Sequence, residues 1–494
     1  MKRMKNMKYV LLILFSCSIG SCSDWLKVSS EDRIMEDNLY SSPEGFMTAL
    51  NGIYIDLMNN NLYGRTLVWG TFDIMAQCYS CRQENHTYQK LAEFDANAKK
   101  GQVSGLWTRA YFLLANVNTL LEHCESDRNV LSDEYYHVIK GEALALRALL
   151  HFDLFRVFGP IYNEDKEAEC IPFAGSSDPV VRPLLKASEI VKLINADLNN
   201  AELALENYDP IITEGPLWGE QVEGISYAMR YRQLRLNYYA VQALIARVAL
   251  YTGDKARAFT YADKVIRGGQ KDHNWFPFIT RDAVSPSDVG DRIFRTEILF
   301  GLYHLQREKQ IFEIAFGNNL KEVSVLRVDD KIQNDVYEED ENDYRSAYWY
   351  RDMIDPDNNN TRHFIKYIGL EMLSNDTDPR EYRYVVPILR ISEMYYIAAE
   401  CCTDPVKARE YLNMIRAARN IRNVPDDADL MTYVEKEYRK EFIGEGQLFW
   451  MYKRQNKTQI PSGKTVGEMI EMEKSFYLFN IPQDEMDQRK EANN

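Results

Sequence analysis

Residues 236–269 constrain the fold most. Apolar positions recur at helical spacing over 236–251 and again over 256–266, and only Thr252-Gly253-Asp254 separates the two runs. So short a connection makes the two helices antiparallel neighbours. Ala246, Ala249, Ala256, Ala258 and Ala262 supply small side chains at the contact, and Gly268-Gly269 closes the pair. The unit this describes is a helix hairpin that buries one face against further helices.

The same pattern recurs on both sides of it. Ser42-Pro43-Glu44 is a helix start, with a capping hydroxyl and Pro in the first turn, followed by Phe46, Leu50, Ile53 and Leu57. Leu106, Trp107, Ala110, Leu114, Val117 and Leu121 mark a second helix. Ser132 caps a third, carrying Ile139, Ala143, Leu146, Leu150, Leu154 and Phe158, and Gly159-Pro160 stops it. Ser188 opens another with Ile190, Ile194, Leu198 and Ala201. Helical spacing returns over 392–402, 405–419, 430–443 and a turn around 449–454. Between these ends, 296–304, 310–316, 363–368 and 384–389 read as strands, separated by polar loops. The run from Glu338 to Glu341 reads as a solvated loop. The expected fold is mainly α: tetratricopeptide-like antiparallel helix pairs with an inserted loop-rich region containing short strands.

The N-terminus reads as a targeting segment. Lys2, Arg3, Lys5 and Lys8 precede a short apolar run from Tyr9 to Phe15, too short to span a bilayer of roughly 30 Å. Ile19-Gly20-Ser21-Cys22 then resembles a bacterial lipobox, cut before Cys22, whose thiol takes the lipid. The alternative is a plain secretory peptide with an incidental cysteine. An anchor with two or three acyl chains holds stably, at about 0.8 kcal/mol per buried CH₂. Expected segments are a signal peptide over 1–21 and a single domain over 22–494. In it the helical scaffold occupies about 40–268 and 390–456, and the variable region about 269–389.

Charge and composition exclude other classes. The 494 residues carry 59 Lys and Arg against 74 Asp and Glu, a balance that argues against general nucleic-acid binding. The 45% apolar content is that of a globular chain. With Cys17 cleaved off and Cys22 acylated, the remaining cysteines are too sparse for a disulfide scaffold, and no pairing is assigned. Cys78-Tyr79-Ser80-Cys81 has redox-motif spacing without the strand–helix context, and the other ligands of a zinc site are missing. There is no HExxH, phosphate loop or nucleophile elbow. The histidines are scattered, and His151 on an apolar helix reads as a core residue. Asp355-Pro356-Asp357-Asn358-Asn359 mimics the start of a calcium loop, but Asn360 and Lys366 stand where Gly and Glu are needed; a polar turn is the default. No cofactor or metal is expected.

A set of motifs spread over nearly the whole chain resembles the SusD/RagB family of outer-membrane glycan-binding lipoproteins. They include Cys22-Ser23-Asp24-Trp25-Leu26, Ala49-Leu50-Asn51-Gly52-Ile53-Tyr54 and the stretch from Gly141 to Ala148 with Phe152, Phe158, Gly159 and Pro160. Further on come 243–251 with Gly253, 387–395 with Ala399-Glu400, and 412–416. The last are 441–446 with Trp450 and Arg454, and Ile481-Pro482. A departure lies in 447–451, where many members have Arg, and Asp after the tryptophan. Most of these residues read as scaffold: Arg147, Arg390, Glu393, Glu400 and Arg416 as ion-pair anchors of helix packing, Gly159 as a helix end and Pro387 as a strand end.

The resemblance implies a non-enzymatic, surface-facing outer-membrane lipoprotein. Its implied role is to capture oligosaccharide or polysaccharide and deliver it to a SusC-like TonB-dependent transporter. A lipid-anchored glycoside hydrolase and a periplasmic tetratricopeptide-type scaffold are the alternatives; the glycan, or a peptide in its place, is left open. The candidate ligand face is Tyr79, Arg82, Asn85 and Tyr88 with His86. A second group is Phe316, Asn318 and Asn319 with Tyr348, Trp349 and Tyr350, rings interleaved with hydrogen-bonding groups. The bland reading is that these rings pad loop packing.

Overall fold

Local capping sets where the helices begin. In the computed structural model, which describes residues 30–217, 224, 226–285, 289–369 and 381–492, Ser42 accepts the Gly45 N–H at 3.2 Å and starts α1 (Pro43–Leu57). Asp95 caps α2 (Ala96–Ser126), and Ser132 caps α3 (Asp133–Phe158), which ends at Gly159. α4 (Ala187–Leu205) starts one residue before Ser188; the Glu189 carboxylate closes its first turn by accepting the Lys186 N–H at 3.1 Å. Asn237 and Asp254 cap α5 (Tyr238–Tyr251) and α6 (Lys255–Ile266). The leader, the cleavage motif and Cys22 lie outside the described residues.

Each of these helices packs on its predecessor, from α1 to α6. α7 (Ile391–Cys401) continues the series by packing on α6 across the whole insertion. α8 (Pro405–Ala418) and α9 (Leu430–Glu441) pack on α7, and α10 (Leu448–Gln455) returns to α5. The apolar stripes read from the sequence are the buried faces; Leu146 and Leu150 are 0% exposed. Gly141 brings α3 and α4 together, since a Cβ there would lie 2.7 Å from Leu205 Cγ. At the α5–α6 contact Ala246, Ala249, Ala258 and Ala262 are buried, but Ala256 faces solvent. Gly268-Gly269 does not end that pair; the chain continues as a π-helical turn over Arg267–Asp272. Among the described residues no helix is long and apolar enough to cross a membrane.

The insertion carries β1 (Ile298–Tyr303), β2 (Tyr350–Ile354), β3 (Asn360–Phe364) and β4 (Val385–Arg390), paired β1–β4 and β2–β3 in two antiparallel ribbons. The strand expected at 310–316 is instead a π-helical segment, Glu308–Phe316. Its buried Ile311, Phe312, Ala315 and Phe316 recur at a helical interval, not in alternation. Pro387 does not end a strand: it sits inside β4 opposite Gly301, where the register slips. A two-stranded ribbon consists of edges only, so it tolerates the missing N–H. Asp355 forms a polar hairpin turn between β2 and β3, its carboxylate accepting the N–H groups of Asp357 and Asn359. Glu338 leaves the expected solvated run to bridge Lys436 and Lys440 at 2.7 and 2.6 Å. A last ribbon pairs β5 (Gln459–Pro461) with β6 (Met469–Glu471), and α11 (Gln483–Ala492) ends the described chain.

Buried charge fastens the insertion to the helices. Arg147 pairs with Asp197 at 2.6 Å, Arg247 with Glu393 at 2.5 Å, Arg454 with Glu400 and Arg416 with Glu437, so each expected anchor has its partner. Arg390 reaches Glu441 at 2.5 Å, and Arg419 holds Glu297 of the insertion at 2.7 Å while also reaching Glu441. Arg345 of the insertion pairs with Asp343, Glu437 and Glu441 at 2.7–2.8 Å. His151 is a satisfied core residue: it stacks on Phe173 at 4.0 Å, and its Nε2 accepts the Ala174 N–H at 2.9 Å. Burial lowers its pKa to about 3, so the ring is neutral.

Candidate functional site

The loop following the short helix Thr71–Met75 is stitched to the middle of the insertion by backbone hydrogen bonds. Ser80 N–H donates to Arg327 O at 2.8 Å and Thr87 N–H to Val323 O at 2.7 Å. Ser80 Oγ accepts the Asp329 N–H and donates to Gly463 O, which adds the β5–β6 turn. Asn318 Nδ2 donates to Ile354 O at 2.9 Å and ties in the end of β2. Two candidate groups more than two hundred residues apart in sequence thereby share one region of the molecule.

Their rings mostly face inward, which corrects the expectation for Tyr79, Phe316, Trp349 and Tyr350. The first three are 0% exposed, and Tyr350 is 8% exposed. Each is covered by other rings. Phe316 lies 5.7 Å from Tyr79, 5.8 Å from Trp69 and 5.2 Å from Phe364; Tyr350 lies 5.6 Å from Phe364. Trp349 packs on Phe294 at 5.1 Å, and Lys366 Nζ sits 4.0 Å over it. These rings form the apolar floor that supports the surface loops. Tyr348 is half-buried on Tyr344 at 6.2 Å, on a short helix beside Arg281–Val284.

What the face presents is narrower. Arg82, Tyr88 and Asn318 are partly exposed, and Asn85 and Asn319 are exposed. The Arg65 guanidinium lies 5.6 Å over the Tyr88 ring, and the His86 ring lies 5.9 Å from it, which orients the tyrosine. Asn85 takes the left-handed conformation (φ 65°), which Asn tolerates better than most residues, and its N–H donates to Gln89 Oε1 at 3.1 Å. His86 is buried, with Nε2 3.3 Å from Val325 O, and burial lowers its pKa; its role is to hold the loop. His363 is fixed likewise, between Phe316 O and Thr361 Oγ1. Sequence reasoning missed Arg65, and also the Glu322–Arg327 pair at 2.6 Å, because their place is set by contacts distant in sequence. A concavity of about 810 Å³ between α2, residues 172–182 and α11, with Trp107 and Tyr111 in its wall, carried no sequence signal either.

The chemistry available on the loop face is a half-exposed ring, planar guanidiniums and side-chain amides. Such groups stack on flat apolar surfaces and donate to hydroxyls. Among the described residues no cluster of three or more His, Cys, Asp or Glu is placed to hold a metal. Cys78 and Cys81 are buried free thiols, and burial raises the pKa of both.

Two family profiles match the chain: one described as the SusD family over residues 269–494, the other as starch-binding associating with outer membrane over 24–250. A SusD-like protein of Formosa agariphila is 23% identical over 495 residues, covering 92% of this chain and 93% of its own. A solved SusD-like carbohydrate-binding protein from Bacteroides vulgatus superposes with a TM-score of 0.69 at 20% identity, covering 91% of this chain and 97% of that one. A SusD superfamily protein from Bacteroides thetaiotaomicron gives 0.66 at 23%, covering 90% and 98%. The solved relatives share the fold built from α1 to α10, and the two profiles together span nearly the whole sequence. The chain belongs to the SusD family.

Proposed function

We propose that this protein captures oligosaccharides at the outer-membrane surface and passes them to a SusC-like TonB-dependent transporter without breaking a bond. The observation that carries the reading is the joined loop face, where Tyr88 is oriented under Arg65 in the loop that also carries Arg82 and Asn85. A pyranose offers CH faces to such a ring and hydroxyls to such donors. The carbohydrate-binding description of the Bacteroides vulgatus relative supports it. Because one exposed ring gives modest stacking, affinity is expected in the micromolar-to-millimolar range, roughly 4–8 kcal/mol.

Calorimetric titration against a panel of polysaccharides tests the reading. Tyr88→Ala should remove about 1–3 kcal/mol of binding, by analogy with base–aromatic stacking, and leave the melting temperature unchanged. Wild-type affinity in both Tyr88→Ala and Arg82→Ala would move the site elsewhere. Conversion of the bound sugar by purified protein would favour a hydrolase instead. The anchor is tested by Cys22→Ser, which should yield folded protein released from the outer-membrane fraction. Protease shaving of intact cells should cleave the wild-type chain; protection would favour a periplasmic role.

A further inference from the structure

Several signature residues that the loop face does not use converge inside the helical stack. Arg156 of α3, Tyr251 of α5, Glu393 of α7, and Gln447, Trp450 and Met451 at α10 line a cavity of about 30 Å³. That volume is enough for one water molecule. Among the described residues, Arg156 Nε, Tyr251 Oη and Trp450 Nε1 have no hydrogen-bond partner, although their residues are only 2%, 4% and 3% exposed. Buried polar atoms in native proteins are almost always paired, with protein or with ordered water.

Every other charge at the cavity is already matched. Arg156 pairs with Asp153 through Nη2 and donates through Nη1 to Gln447 Oε1 at 3.1 Å. Arg247 pairs with Glu393, and Arg454 with Glu400. Met451, next to the tryptophan, offers only a weakly accepting thioether.

We infer that one water molecule is bound here as a fixed part of the scaffold. Its oxygen accepts from Arg156 Nε and Trp450 Nε1, and one of its hydrogens goes to Tyr251 Oη. Both nitrogens and the tyrosine oxygen are then paired, and the water makes three hydrogen bonds. A halide could accept from all three groups, but it would face the Glu393 carboxylate with no spare positive charge beside it. The water therefore joins α3 and α5, from before the insertion, to α10 after it.

A high-resolution crystal structure of the wild-type protein, with a second crystal soaked in sodium bromide, tests this. The expected result is a single density peak about 3 Å from Arg156 Nε and Trp450 Nε1, with no anomalous bromine signal. A cavity without density, Gln447 rotated into it, or a bromine peak would each overturn the inference. In solution, the Trp450 indole N–H, assigned with Trp450→Phe, should show cross-relaxation with a long-lived water. Its absence would count equally against the site.

Discussion

Replacing Glu441 by Gln should be among the costliest single changes in this protein. Its carboxylate accepts from Arg390 Nη1 at 2.5 Å, from Arg419 Nη2 and Nε at 2.6 and 3.0 Å, and from Arg345 Nη1 at 2.8 Å. All four side chains are 0% exposed. Burial alone would raise this carboxyl's pKa, but Arg419, Arg390 and Arg345 hold it well below 4.5, so the group is ionised. Gln keeps the shape, removes the charge and turns an amide donor towards guanidinium donors. Breaking one buried pair costs about 3–5 kcal/mol. Here three guanidiniums share the lost carboxylate, which argues for the upper end, about 5 kcal/mol, against a total stability of about 5–15 kcal/mol. Because Arg345 belongs to the insertion and Arg390 and Arg419 flank the late helices, the insertion should loosen first. Urea unfolding followed by tryptophan fluorescence and by far-UV circular dichroism would show both effects. Lys474→Ala, which breaks the exposed pair with Glu164, is the control and should not measurably move the transition. A loss below about 1 kcal/mol for Glu441→Gln, the range of exposed pairs, would refute the reasoning.

Acid should destabilise the fold in two overlapping ranges. Burial would raise Glu437, but Arg345, Lys440 and Arg416 bring it to about 2, below its ordinary 4.5; its stabilisation is complete above pH 4.5 and fades as the pH falls towards 2. Burial lowers His151 to about 3, so the unfolded chain takes up that proton first and stability is also lost from pH 6.5 down to 3. Thermal melts across this range should show a steady decline, and a flat melting temperature would contradict both assignments. Leu146→Ala and Leu150→Ala should each cost about 2–5 kcal/mol, with an unchanged melting temperature showing that the buried face of α3 is wrong. Trp349→Ala should lower stability by about 3–5 kcal/mol, because the ring is core; a variant of wild-type stability with selectively weakened glycan binding would reverse that.

The helices were legible because their signals are local. Ser42, Ser132 and Gly159 act on backbone groups within one turn, and stripes such as Phe46, Leu50, Ile53 and Leu57 need only a partner face. The segment 310–316 was misread although its interval was visible: Ile311-Phe312 and Ala315-Phe316 repeat after four residues, which a strand cannot bury on one side. Charged residues on apolar helices announced that they needed partners, and Arg390, Glu393 and Arg416 have them. Which carboxylate answers Arg419 was not legible, since Glu297 is brought to it by the β1–β4 pairing.

The ligand face shows the same divide more sharply. Tyr79 and Tyr88 lie nine positions apart in one loop, yet one is core and the other reaches solvent. Part of that difference was local: Tyr79 stands between Cys78 and Cys81 after the apolar Met75-Ala76, whereas Tyr88 follows Asn85-His86-Thr87. The rest depends on what covers each ring. Phe316 closes over Tyr79 only because Ser80 and Thr87 bond to Arg327 and Val323, which draws the insertion onto the loop. The same bonds leave Tyr88 beyond the zipped segment, where Arg65 lies over its ring. A loop aromatic can stack on a sugar only if its own neighbours leave a face open, and that follows from pairing between segments that neither one carries alone.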